Sequence, residues 1–295
     1  MTPDLHPMQG LAAVNTIPWI FDPVLIGTLL TAAVAYWLLA GPLRTRVPDS
    51  AKPSRLQVAL FASGLVVTFL AEASPLHDLS ERYLFSAHMA QHLLLSYVVA
   101  PLLIAGTPVW MVRPLARHEI FGPLLYTITR PVVAFTAFTL GFSLWHLPMV
   151  YGPALVNPFI HHFQHVIFLI LALMVWWPVM SRVPELPRAG YGTQIIYLAA
   201  LPLGQLFVGA ILTFAQQPFY PTYSEAARIA PISVLGDQQL GGVIMKIASF
   251  VAFGIPVIVL FLRWFADDNR AGKRTLEGRQ SGDVAHQGAG GSSGS

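Results

Sequence analysis

The sequence predicts an all-α polytopic membrane protein: a seven-transmembrane-helix bundle with its N-terminus outside and its C-terminus cytoplasmic. Three observations carry this expectation. The 295-residue chain is 55% hydrophobic and only 11% charged, and several apolar runs exceed the roughly 18 residues that mark a transmembrane helix. The runs are unbroken blocks, without the period-2 alternation of outer-membrane barrel strands. The basic residues are also very unevenly shared among the connecting loops.

The seven segments run from Val24 to Ala40, Leu56 to Ala71, Tyr83 to Ala105, Val132 to Val150, Phe159 to Trp177, Thr193 to Phe214 and Leu240 to Phe265. Arg44, Arg46, Lys52 and Arg55 follow the first, Arg113, Arg117 and Arg130 the third, and Arg182 and Arg188 the fifth. Arg263, Arg270, Lys273, Arg274 and Arg279 lie at or beyond the end of the seventh. Fourteen of the seventeen Lys and Arg residues thus share one end of the bundle, against Arg82 and Arg228 at the other and Lys246 within a span. The positive-inside rule places the richer end in the cytoplasm.

Residues 1–22 read as an outer N-terminal arm and residues 23–266 as the membrane domain. Residues 267–295 read as a disordered cytoplasmic tail, polar and rich in Gly and Ser, ending in a linker-like G-G-S-S-G-S. No basic stretch precedes Pro18, so no cleaved signal peptide is expected. Trp176, Trp177 and Trp264 suit headgroup anchoring. The segment from Gly106 to Arg130 reads as an inner connection lying partly on the surface. The Pro- and Tyr-rich stretch from Ala215 to Gly236 reads as an outer loop and a candidate lid. The basic residues account for the pI near 9.3 through orientation, and no nucleic-acid role is expected; the partner common to every span is membrane lipid.

The chemistry lies in the polar groups that do not belong in lipid, since ionisable residues within spans are costly and face the bundle interior. His88 and His92 stand four residues apart in F-S-A-H-M-A-Q-H-L-L-L, and His161 and His165 repeat the spacing, which stacks each pair on one helix face. His162 points about 100° away from His161 and ranks below its neighbours. His146 ends the fourth span, Glu72 the second, and Asp237, Met245 and Lys246 begin the seventh. All of these fall at the outer level. A lone histidine on an apolar helix is more often a satisfied core residue than a ligand, and six at one depth are harder to explain so; the bland alternative for the set is a hydrogen-bonded network. Met89, Met149 and Met245 read first as packing residues, and His6 and Met8 as tail residues. Asp237 is expected to cap the seventh helix, Gly241 and Gly242 to admit a close neighbour, and Lys246 to pair with Glu72.

With no cysteine in the chain, a metal would be held by His, Met or carboxylate, and imidazole with thioether suits copper, especially Cu(I), better than zinc or magnesium. Haem b between two facing imidazoles uses the same residues and would make the protein a membrane cytochrome transferring electrons from quinol. A copper transporter would need polar groups through the inner half of the bundle, where few are present.

The runs S-A-H-M-A-Q-H (Ser86 to His92), S-L-W-H-L-P (Ser143 to Pro148), the segment from His161 to Pro178 ending W-W-P, Y-P-T-Y-S-E (Tyr220 to Glu225) and D-Q-Q-L-G-G-V-I-M-K (Asp237 to Lys246) resemble the bacterial seven-span CtaG family of cytochrome c oxidase assembly proteins. The likeness spans nearly all of Phe21 to Phe265. It implies a non-enzymatic assembly factor of the bacterial cytoplasmic membrane, acting on haem-copper oxidase subunits and delivering copper, with a copper donor chaperone on the outer face as a further partner. The family's polar signature falls on His88, His92, His146, His161, Asp237 and Met245, whereas His165 occupies a position that varies. The expected metal set is therefore His88, His92, His146, His161, His165 and Met245, supported by Asp237, Glu72, Lys246 and His162.

Overall fold

The computed structural model describes residues 18–289, and these contain helices and no strand. The helices are α1 (Pro23–Ala40), α2 (Arg55–Ala73), α3 (Pro75–Arg82), α4 (Phe85–Gly106), α5 (Val109–Ala116), α6 (Phe121–Ile128), α7 (Pro131–Trp145), α8 (Pro148–Val156), α9 (Pro158–Met180), α10 (Tyr191–Thr213), α11 (Pro221–Glu225) and α12 (Val234–Ala289). Six of them (α1, α2, α4, α9, α10 and α12) are long and apolar enough to cross a membrane; α6 and α7, bent by 73°, make a seventh span if taken together.

Local sequence sets most of the helix starts. Asp22 accepts from Leu25 N at 2.9 Å ahead of Pro23, Ser54 and Gln57 form a reciprocal capping box, and Asn157 accepts from Phe159 N and Ile160 N ahead of Pro158. Each side chain occupies backbone N–H groups that no earlier turn can use. The fourth span departs from expectation. Its helix stops at Trp145 instead of continuing to Val150, because Pro148 holds Leu147 in extended geometry (φ −69°, ψ 131°), and α8 then restarts as a separate short helix. Fifteen residues are too few to cross ~30 Å of hydrocarbon alone.

Midway, α4 widens into a π turn at Leu95–Val99, and Trp176 Nε1 donates to the Ser96 carbonyl at 2.9 Å. A π turn leaves a carbonyl without its usual helical partner, and the indole supplies one. Phe138, Trp176, Leu198, Leu201 and Phe253 fill the middle of the bundle. α10 and α12 form the most extensive helix pair: a Cβ on Gly242 would meet Thr213 N at 2.8 Å and Gly209 O at 3.0 Å, so the close approach requires glycine. At the basic end, Arg113 and Arg117 share Glu185 Oε1 at 3.2 and 2.6 Å.

Residue 267, where the disordered tail is expected to begin, lies within α12. α12 runs on to Ala289 through residues such as Ala266, Ala271, Lys273, Leu276 and Glu277, which favour helix. His6 and Met8, and the terminal G-G-S-S-G-S, lie outside the described residues.

Candidate metal centre

The polar groups gather at the end of the bundle opposite Glu185. What fixes the central helix there comes from far along the chain. Leu84, at the cap position of α4, offers no side-chain acceptor; instead Asp237, 152 residues beyond Phe85, accepts from Phe85 N at 2.7 Å, Ser86 N at 3.3 Å and Ser86 Oγ at 2.5 Å. Asp237 therefore caps α4, not its own helix as expected, because α12 begins a turn earlier at Val234. Gly241 makes the approach feasible, since a Cβ there would lie 2.5 Å from Phe85 Cδ1.

One turn into α4, His88 and His92 are buried with their Nε2 atoms 2.5 Å apart. His165 of α9 faces them, its ring centroid 4.9 Å from that of His92. Ligating atoms of His88, His92 and His165 all lie within 4.8 Å of one another. Glu72 Oε2 accepts from His165 Nδ1 at 2.6 Å, which fixes the proton on Nδ1 and leaves the Nε2 lone pair directed inward without a partner.

His161, a turn before His165, belongs to a second set with His77 and Glu81 of α3. Glu81 Oε1 stands 2.9 Å from His161 Nε2, without hydrogen-bond alignment, and 3.3 Å from His77 Nε2. Burial pushes the Glu81 carboxyl up, yet the adjacent His161 and His77 outweigh this and bring it down to about 2, so it is an anion at neutral pH. His77 and Glu81 are absent from the sequence expectation, which leaves residues 72–82 between its second and third segments. The signals were present: Ser74 accepts from Leu76 N ahead of Pro75, a helix start, and His77 and Glu81 stand four residues apart.

His146 does not join either set. Its Nδ1 must carry a proton to donate to the Phe142 carbonyl at 2.6 Å, so the Nε2 lone pair faces Met89 Sδ at 3.4 Å. Together with His92 and Met245 these groups line a void of about 10 Å³ on the other side of His92. Met149, by contrast, is 79% exposed. His162 points away, with Nδ1 on the Pro158 carbonyl and Nε2 3.5 Å from Asp22.

The expected Lys246–Glu72 pair is not formed. Glu72 is taken by His165, while Lys246 Nζ sits 5.2 Å from the Phe214 ring centroid, a cation–π contact that needs no carboxylate. Lys246→Met is therefore expected to cost under about 1–2 kcal/mol, and combining it with Glu72→Gln should be additive within about 0.5 kcal/mol. Denaturation of the four proteins of this cycle in detergent would check it, and a coupling above ~1 kcal/mol would restore the pair.

The Tyr-rich loop seals the cluster from above. Tyr220 Oη donates to the His146 carbonyl at 2.8 Å, Tyr223 Oη to the Ser80 carbonyl at 2.6 Å, and Tyr151 and Tyr223 share a 2.7 Å contact. Burial pushes the Tyr223 phenol well above its usual range, keeping it a neutral donor. Access comes from the side, where a cleft of about 460 Å³ between α1, α2, α3 and α9 is lined by Glu72, His77, Glu81, His161 and His165.

The sequence profile described as "Cytochrome c oxidase caa3 assembly factor (Caa3_CtaG)" matches residues 34–267, a stretch holding every residue of both donor sets. The chain belongs to the caa3 assembly factor family. Two curated relatives are similar to this Caa3_CtaG protein: an uncharacterized protein of Mycobacterium leprae, 23% identical over 87% of this chain and 41% of its own length, and an uncharacterized protein of Mycobacterium bovis, 23% identical over 65% of this chain and 31% of its own. The chain thus spans less than half the length of these relatives. No solved structure matches this Caa3_CtaG chain.

Proposed function

We propose that this Caa3_CtaG protein binds copper through His88, His92 and His165 and delivers it to a haem-copper oxidase during assembly, as cargo, without catalytic turnover. The observation that carries the reading is the buried imidazole triad. Two Nε2 lone pairs 2.5 Å apart repel unless a proton or a cation sits with them, and His165 adds a third, Glu72-oriented lone pair. Nitrogen ligands at about 2.0 Å in a tetrahedral site stand roughly 3.3 Å apart, so His88 and His92 need to separate by under an ångström to share one ion. Met89 and Met245, beside His146 and behind His92, supply the soft thioethers that favour Cu(I).

The haem reading finds little support in this geometry. The space between His92 and His146 is about 10 Å³, far below what a porphyrin between facing imidazoles occupies. Transport across the membrane fares no better, because Phe138, Trp176, Leu198, Leu201 and Phe253 close the bundle below the histidines. Metal analysis of anaerobically purified protein should give copper and no intense Soret band; a Soret band lost on His146→Ala would replace this reading with the haem one.

Delivery to an oxidase site on the outer face requires the histidine end to be outside, as the basic residues of the opposite end suggest. Cysteines introduced singly test this in a chain that has none. Gly152, where an added Cβ meets nothing within 4 Å, lies at the histidine end, and exposed Pro184 lies at the other. In intact cells an impermeant maleimide should label Gly152→Cys and spare Pro184→Cys; the converse pattern would place the cluster on the cytoplasmic side.

A further inference from the structure

We infer that His77, Glu81 and His161 form a second metal site, at the mouth of the side cleft, which takes a divalent first-row ion. The donors are His77 Nε2, Glu81 Oε1 and His161 Nε2, with Glu81 Oε1 3.3 and 2.9 Å from the two nitrogens. The same three residues offer ligating atoms that all lie within 4.8 Å of one another. His161 is the informative member. Its side chain is 3% exposed, Nδ1 has no hydrogen-bond partner, and Nε2 has only the poorly aligned Glu81 carboxylate at 2.9 Å, an arrangement that an ion shared between Nε2 and Glu81 would satisfy.

The donor type differs from that of the inner triad. Two imidazoles and a carboxylate suit divalent ions such as Cu(II) or Zn(II), whereas the inner site has imidazoles with thioethers nearby and no ligating oxygen. Access differs as well. Glu81 is 25% and His77 12% exposed in their side chains, and both line the cleft wall, which also carries the carboxylates of Asp22 and Glu72. Arg82 at the same mouth is held by Asp78 at 2.9 Å, so the local field favours a cation.

Gln91 limits how tightly this outer site holds. Its Nε2 lies 3.0 Å from His77 Nδ1 and 3.0 Å from the Ala71 carbonyl. While the amide donates to Nδ1, the His77 proton sits on Nε2, the atom an ion needs. Binding must shift that proton to Nδ1 and release the amide, which weakens the site relative to the inner triad, where Glu72 already favours the ligating tautomer. An exchangeable outer site and a tighter inner one adjoin through His161 and His165, whose ring centroids are 4.2 Å apart on consecutive turns of α9. An ion arriving through the cleft meets the outer set first.

Equilibrium dialysis of the full-length protein in detergent, first against Cu(I) under anaerobic conditions to fill the inner triad and then against Cu(II), or separately Zn(II), tests the assignment. The wild type should take up two ions, and the His88→Ala/His92→Ala variant should keep one that is released by a mild chelator. Adding either Glu81→Gln or His77→Gln to that variant should abolish the remaining ion, and with it the Cu(II) EPR signal, while leaving the melting temperature of the metal-free protein unchanged. A folded His88→Ala/His92→Ala variant that binds no ion would overturn the outer site and leave the inner one standing. Retention of the ion in both triple variants would overturn it too. Were the wild type to bind a single ion, lost on Glu81→Gln and untouched by His88→Ala/His92→Ala, the outer site would stand and the inner copper reading would fail.

Discussion

Alanine at His88 or at His92 is expected to reduce the Cu(I) held by the inner triad below about a tenth of the wild-type level and to leave host cells with an oxidase that contains haem but lacks copper. The two rings are one pair: each Nε2 faces the other at 2.5 Å, and each Nδ1 lacks a partner, so removing either leaves two donors where there were three. Losing an outer-shell partner alone typically weakens a site 10- to 100-fold, and losing a ligand should cost more. Glu72→Gln supplies the intermediate case. Its amide oxygen can still accept from His165 Nδ1 but carries no charge, so affinity should fall by roughly 10- to 100-fold with the fold intact. His118, exposed in the connection between α5 and α6, serves as the control, and His118→Ala should alter neither copper content nor oxidase assembly. Full copper and normal oxidase in the His88 and His92 variants would show that the histidines are structural.

The parts of this site that could be read in the sequence are those in which spacing and helix period act together. His88/His92 and His161/His165 each lie within one long apolar run, so the 3.6-residue period places both members of a pair on one face, and α4 and α9 then bring them together. His77 and Glu81 have the same spacing, but they sit on an eight-residue helix between spans that hydropathy does not mark. Orientation within the cluster was less accessible. The shared depth of Lys246 and Glu72 suggested a pair, whereas the carboxylate points to His165 and the ammonium lies against Phe214. Depth constrains position along the membrane normal and says little about azimuth around each helix. His146 illustrates the same limit, since it lies near the triad yet faces Met89.

Replacing Asp237 should have the largest effect on stability, although the residue touches neither donor set. Its carboxylate receives three hydrogen bonds from the start of α4, two from backbone N–H groups and one from Ser86 Oγ, and the site is 1% exposed. Asp237→Ala strands these donors in the interior at about 1–3 kcal/mol each, and water cannot readily replace the lost acceptor beneath Phe85, Tyr151 and Tyr220. A net loss of about 3–5 kcal/mol, or roughly 10 °C in melting temperature for a domain of this size, is expected. Asp237→Asn keeps one acceptor oxygen and presents an N–H group to donors, so it should recover only part of the difference. The first turn of α4 should fray before the rest, which moves His88 and lowers copper affinity as a secondary effect. Melting curves of metal-free Asp237→Ala, Asp237→Asn and His162→Ala proteins provide the check: the half-exposed His162 should shift little, and an Asp237→Ala melting temperature equal to that of the wild type would show that α4 is held in place by packing alone.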